Sequence, residues 1–477
     1  MSVTKLKHFI NGKFVEAKSS EYFDLISPVT GKVIAQSPIA TQEEVDAAYA
    51  AAKEAFKIWG RTTPSERQKA LLKLADAIEA NSDALVEAQS RNTGQIKALI
   101  ASEEVAVSAD QVRFFAGAAR CLEGKSTGEY MHGLTSSIRR EPLGVVGQVA
   151  PWNYPLMMAI WKIIPALAAG NTVVLKPSDT TPESTLLLAE IAAPFFPAGA
   201  INVLLGKAET GSQIVSHKTA ALVSITGSVR AGLAVAASAA QNLTRAHLEL
   251  GGKAPVVVFA DADLEKAAAH IAMTGFFNAG QDCTAATRVL VEESVHDKFL
   301  ELLAKEAKAT KFGSPDDSDA LYGALNNANQ LKHVQGFIDR LPPHAKIQAG
   351  GKAGNREGFY FEATVISHLK QDDEVIQKEI FGPVITVQSF KDEADGVFKA
   401  NDVEFGLASS VWTKNHARAT RLSRDLDFGT VWINTHIPLV GEMPHGGFKH
   451  SGYGKDLSSY GLEEYTRVKH VMASNED

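Results

Sequence analysis

The run Gly144-Val-Val-Gly-Gln-Val-Ala150, which ends in Pro151-Trp-Asn-Tyr-Pro155, is a short β-branched apolar strand closed by two prolines. The same pattern recurs downstream at Thr172–Leu175, Ile201–Leu205, Ala221–Thr226 and His247–Leu250, with helical segments between. Apolar strands separated by helices predict a parallel sheet covered on both faces. This is a doubly wound α/β domain, whose strands' carboxyl ends are the usual place for a nucleotide. A second α/β segment opens with the strand Ala254–Phe259 and an acid-rich helix start at Asp261–Glu265, the helix running to about Phe277. After the turn Gly280-Gln-Asp-Cys283, Arg288–Glu292 reads as strand and Ser294–Thr310 as helix, with further strands to about Trp432.

Upstream, Thr41-Gln-Glu-Glu44 and Thr63-Pro-Ser-Glu66 fit capping boxes, each preceding an amphipathic run such as Val45, Tyr49, Ala52, Phe56. The apolar stretch Leu156–Leu175 is split by Lys162, Pro165 and Gly170-Asn171 into helix, turn and strand, so it does not read as a membrane span. Glu129–Glu141, carrying Arg139 and Arg140, and Tyr465–Met472 read as exposed ribbons. Solitary ribbons are marginal, so both are expected to pair with another subunit.

With 477 residues, the chain has room for about three domains, or two with an added arm. Its composition, 45% hydrophobic and 22% charged, is that of a globular protein with a sizeable core, and a net charge of −7 offers no basic excess for nucleic acid. Two distant cysteines, Cys121 and Cys283, exclude a disulfide framework and CxxC-type metal sites. Met1–Glu16 lacks the apolar core of a secretory signal, so a cytoplasmic protein is expected.

Several motifs fail on inspection. Gly124-Lys125-Ser126 is not a P-loop, because Ala119 stands where the first glycine belongs. There is no GxGxxG after a strand, no GxSxG and no HExxH, and the histidines do not cluster at ligand spacing, so no metal is expected. His445 and His450, in a glycine-rich loop, read as structural or exposed.

Cys283 remains, in a Gly-Gln turn whose backbone N–H groups could favour a thiolate; the alternative is a buried inert cysteine. Glu249, at the end of a buried strand before two glycines, is costly there unless functional or paired with Lys253. Asn153 follows the first strand, Lys176 the second, and Gly227-Ser228 the fourth, where a helix begins. An amide, a lysine, a helix N-terminus and a carboxylate along one sheet edge suit a dinucleotide.

Pro151-Trp-Asn-Tyr-Pro155, Lys176-Pro-Ser178, Thr226-Gly-Ser228, Glu249-Leu-Gly-Gly-Lys253, Gly280-Gln-Asp-Cys283, Glu379-Ile-Phe-Gly-Pro383 and Ser451-Gly-Tyr-Gly454 resemble, in order, the motifs of the aldehyde dehydrogenase superfamily. Within it, Arg113–Met131, Ser137–Ala159 and Glu442–Met472 most resemble bacterial γ-aminobutyraldehyde dehydrogenases. The resemblance implies an aldehyde-dehydrogenase-like α/β fold: an NAD-binding domain (1–125 and 145–250), a catalytic domain (251–455) and a β-ribbon oligomerisation arm (126–144 and 456–477) in a homotetramer. It implies that Cys283 attacks the aldehyde, that Asn153 and the Cys283 N–H stabilise the oxyanion, and that Glu249 activates water to release a free acid. Lys176 would take the adenosine ribose, Trp152, Gly227 and Ser228 the pyrophosphate region, and Glu379 with Phe381 the nicotinamide riboside.

Three positions depart from the family pattern. Ile225 replaces an aromatic residue. Asp179 replaces a glutamate that binds the ribose hydroxyls, which bears on NAD against NADP. Asp282 precedes the nucleophile, where its charge would raise the thiol pKa unless a cation compensates, and a cationic substrate is one such compensation. Tyr154, Trp161 and Phe277 resemble the aromatic positions of amino-aldehyde channels, with Asp282 and Glu442 adding negative charge. The expected partner is therefore a small amino aldehyde, 4-aminobutanal first, with betaine aldehyde or another ω-amino aldehyde as alternatives. Other classes are a cofactor-free cysteine hydrolase, for which His247 would be the base, and an inactive structural homologue.

Overall fold

The computed structural model describes residues 3–124 and 126–476; Met1 and Ser2 of the N-terminal stretch, Lys125 of Gly124-Lys125-Ser126 and Asp477 lie outside these. Two sheets organise the chain. The first has eight strands, with the parallel strands Ile201–Val203, Thr172–Lys176, Val145–Val149, Ala220–Thr226 and Arg245–Glu249 side by side in that order. The antiparallel strands His8–Ile10 and Gly452–Tyr453 flank them. Successive strands are added on one side of Val145–Val149 and then, from Ala220–Thr226 on, on the other, and a ligand crevice opens at the carboxyl ends of such a pair. Register aligns those ends: Val149 lies opposite Lys176, and Thr226 opposite Glu249.

The second sheet has seven strands, with Thr364–Ser367, Val384–Phe390, Arg288–Glu292, Pro255–Val258, Ala408–Trp412 and Thr430–Ile433 parallel and Lys346–Ala349 antiparallel at one edge. Its helices Leu264–Phe276 and His296–Ala309 begin within a residue or two of the expected positions. Both capping boxes form, Thr41 and Thr63 each accepting from the backbone N–H of Glu44 and Glu66.

The stretch Leu156–Leu175 is helix, turn and strand as expected: Pro155–Ala169 runs through Pro165 and stops at Gly170, whose φ of 97° is the left-handed conformation that suits glycine, before the strand Thr172–Lys176. Tertiary packing overrides the missing N–H, because this helix is buried along nearly its whole length. One expectation needs correction: the ribbons are not solitary. Thr466–Ser474 and Leu134–Pro142, nine residues each, pair with one another along their full length and with Gly128–Met131, making a three-stranded sheet within one chain. Leu457, Leu462 and Tyr465, just before the ribbon Thr466–Ser474, are buried in the core around Pro155–Ala169.

Candidate active site

A cavity of about 880 Å³ lies at the carboxyl ends of the first sheet and opens between the two sheets. Cys283 sits half-buried in its wall, together with Asn153, Glu249, Asp282 and Glu379. The turn that delivers Cys283 is unusual. Asn278, Ala279 and Gly280 all have positive φ, of 50°, 56° and 65°, and such left-handed residues persist where surroundings hold them. A side chain at Gly280 would meet the Gly382 carbonyl oxygen at 2.1 Å, and one at Gly252 the Cys283 carbonyl oxygen at 2.0 Å. The two glycines let the strand end after Glu249 and the Phe381–Pro383 turn close on the loop that carries Cys283.

Asn153 is buried, and its Nδ2 donates to the Gln281 carbonyl at 3.1 Å. An amide nitrogen carries two hydrogens, so one anchors Asn153 to the cysteine loop and the other is unengaged among the described residues. Glu249 is fully buried, and neither carboxylate oxygen has a hydrogen-bond partner among the described residues. Burial and the charge of Asp456 push its pKa well up, against the pull of Lys162 and Lys455. It makes no ion pair with Lys253, whose own buried amine is pushed down to about 7 by burial and by Arg288. Burial, then Asp282, Glu249 and Glu379, push the Cys283 thiol up.

Asp282 has other compensation than a cation. It accepts three hydrogen bonds, from the Tyr154 hydroxyl at 2.8 Å, the Thr284 hydroxyl at 2.7 Å and the Thr284 N–H at 2.6 Å. Tyr154, Trp161 and Phe277 line the same cavity, and the Trp161 indole N–H donates to Gln111 at 2.8 Å. Glu442 is not brought in: it is exposed and does not line the cavity, because its loop carries it past the buried Gly441 to the surface.

The residues expected to hold a dinucleotide fall into two groups. Trp152, Gly227, Ser228, Glu379 and Phe381 line the cavity, with Trp152 edge-on to Phe381 at 5.2 Å. Ser228 caps the helix Val229–Ala240, and no atom comes closer than 3.7 Å to a side chain placed on Gly227, so the helix N-terminus is approachable. Thr226 contributes a buried hydroxyl without a partner there. Glu379 accepts from Gly252 N–H at 2.8 Å, and burial pushes its carboxyl up to about 7. Lys176 and Asp179 stand outside this cavity, the Lys176 amine donating to the carbonyls of Pro177 and Gly206 at 2.8 and 3.1 Å. An open helix N-terminus, the approachable Gly227 and the buried Thr226 hydroxyl are chemically suited to a dinucleotide's phosphates.

Sequence reading missed several wall residues. Leu99, Glu103, Val107 and Gln111 all line the cavity, a stripe of period four that carries an acid and an amide and was legible as one helix face. His445 is buried rather than exposed, and its backbone pairs with Asp456. His436 bonds Ser410 and the Thr284 carbonyl through its two ring nitrogens, at 2.8 and 2.7 Å. The candidate hydrolase base His247 faces Asp456 at 3.4 Å, in a buried cluster where Asp456 also pairs with Lys162 at 2.9 Å.

The profile of the aldehyde dehydrogenase family matches residues 14–471. The chain is 41% identical over 468 residues to an aldehyde dehydrogenase of Emericella nidulans, covering 97% of this chain and 94% of that one. It is 38% identical over 476 residues to the betaine aldehyde dehydrogenase of Bacillus subtilis, with 97% and 96% covered. Among solved structures, betaine aldehyde dehydrogenase from Staphylococcus aureus in complex with NAD+ superposes with a TM-score of 0.96 at 36% identity, covering 99% of this chain and 95% of that one. The chain belongs to the NAD-dependent aldehyde dehydrogenase family and is an oxidoreductase.

Proposed function

We propose that the protein oxidises 4-aminobutanal, or a closely related ω-amino aldehyde, to the free amino acid with NAD. The observation that carries the reading is the meeting of Cys283, Asn153 and an unpartnered Glu249 in one cavity whose other walls are aromatic and acidic. The Cys283 thiolate adds to the aldehyde carbon, and the free Asn153 N–H with the Cys283 backbone N–H takes the charge on oxygen. When bound, NAD supplies the two-electron acceptor for the hydride that leaves this carbon as the thioester forms. Glu249 then removes a proton from water as it attacks the thioester, and the thiolate departs. Trp152, Gly227, Ser228, Glu379 and Phe381 would hold the cofactor, and Lys176 and Asp179 would take its adenosine ribose.

Tyr154, Trp161 and Phe277 offer aromatic faces to the ammonium group, each worth about 0.5–2 kcal/mol, and Asp282 with Glu103 sets the sign of the charge preferred. Betaine aldehyde is the second reading, favoured by the likeness to the two betaine aldehyde dehydrogenases. The reading includes a homotetramer, supported by the exposed Tyr130, Met131, Val468 and Met472 on the ribbon sheet. Cys283→Ala tests the core of the proposal: NADH formation is abolished while NAD still quenches tryptophan fluorescence, whereas turnover near the wild-type rate removes Cys283 as nucleophile.

A further inference from the structure

Glu104 is a buried carboxyl that the chemistry above does not use. It stands in the π-helical turn Ile100–Val105 and is 2% exposed. Such turns interrupt a helix at some cost and recur at functional sites. Burial pushes its pKa up to about 8, so at neutral pH it is an uncharged acid.

Its partners form a directed chain. Gln89 Oε1 accepts from the Leu156 N–H at 3.1 Å, so the Gln89 amide nitrogen must face the other way. That nitrogen donates to Glu104 Oε1 at 2.5 Å and to Gln95 Oε1 at 3.0 Å. With its oxygen engaged, Gln95 turns its own nitrogen to the Asn153 carbonyl at 2.9 Å and to Asn278 Oδ1 at 3.0 Å. Asn278 then donates to the same Asn153 carbonyl at 2.9 Å and to the Gln281 carbonyl at 3.3 Å. Every amide in the chain is buried, and the direction of each is set by the one before it. Without an acceptor at position 104, one Gln89 N–H is buried unpaired and the first amide loses its anchor.

We infer that Glu104 is a positioning residue: through Gln89, Gln95 and Asn278 it holds the Asn153 peptide, and with it the side-chain amide, against the loop that carries Cys283. The inference rests on the reading of Asn153 as oxyanion donor. A mutant cycle tests it, with NADH formation followed in a single turnover, enzyme in excess over aldehyde. Glu104→Leu slows this step about tenfold or more, and Glu104→Gln, which keeps the acceptor, stays within about threefold of wild type. In an Asn153→Ala background, Glu104→Leu costs less than about twofold. The same loss in both backgrounds overturns the inference, because it marks Glu104 as structural, and so does a folded leucine variant of unchanged rate. An Asn153→Ala enzyme of unchanged rate removes the oxyanion reading itself. If the leucine variant does not fold, Gln89→Met, which cuts the link between Glu104 and Gln95, goes through the same cycle with the same two outcomes.

Discussion

The Tyr154 hydroxyl donates to Asp282 Oδ2 at 2.8 Å, which ties the acid beside Cys283 to the aromatic wall of the cavity. Asp282 is thus fixed in place before substrate arrives, and its remaining field acts on whatever enters. Asp282→Asn is expected to raise KM for 4-aminobutanal about tenfold, while KM for butanal changes less than about twofold. Equal changes for the two aldehydes in steady-state assays remove the charge argument. Tyr154→Phe leaves the carboxylate one donor short and shifts both substrates together.

Glu249, the proposed base, has no hydrogen-bond partner among the described residues. Glu249→Gln should leave the first turnover of NADH formation intact and slow the steady state about 10²-fold or more, so that rapid mixing shows a full burst. Loss of the burst instead assigns Glu249 to the thiol step.

Lys162 and Asp456 are buried without exposure and bond at 2.9 Å, 294 residues apart in the chain. Removing one partner strands a charge. Lys162→Met is expected to destabilise the protein by about 3–5 kcal/mol in denaturant titrations. A loss under about 1 kcal/mol contradicts the pairing.

Burial holds His247, His436 and His445 down to about 4, against an unfolded value near 6.5. Below pH 6.5 the unfolded chain takes up protons that the folded one refuses, so their contribution to stability is present above about 6.5 and is lost as pH falls toward about 4. Thermal unfolding between about pH 6.5 and 5 should show Tm falling with pH, and His247→Asn should flatten that slope. A slope that the substitution leaves unchanged rules out a buried neutral His247.

The parallel sheet and the edge it presents were legible because its strands are mostly apolar and the residues singled out lie at or just past their carboxyl ends: Lys176 and Glu249 close their strands, Gly227 follows Thr226, and Asn153 stands in the loop after Val149. What joins distant segments was not. Pairing of Leu134–Pro142 with Thr466–Ser474 needs a chain reversal that no local pattern encodes, and Asp456 looks like any loop acid until Lys162 is set beside it. Glu442 failed for the converse reason, since a loop acid's side is decided by how the loop closes. The Glu104 amide chain lay hidden because glutamines and asparagines at Gln89, Gln95 and Asn278 carry no periodic signal of their own.

The measurement that bears most directly on the proposed function is NADH formation over a panel of amino, trimethylammonio, carboxy and neutral aldehydes of matched length, with NAD and NADP each supplied. The account predicts the highest kcat/KM for 4-aminobutanal or a neighbouring ω-amino aldehyde with NAD, the neutral and carboxy aldehydes falling at least about tenfold below it. A neutral or carboxy aldehyde turned over best would contradict it.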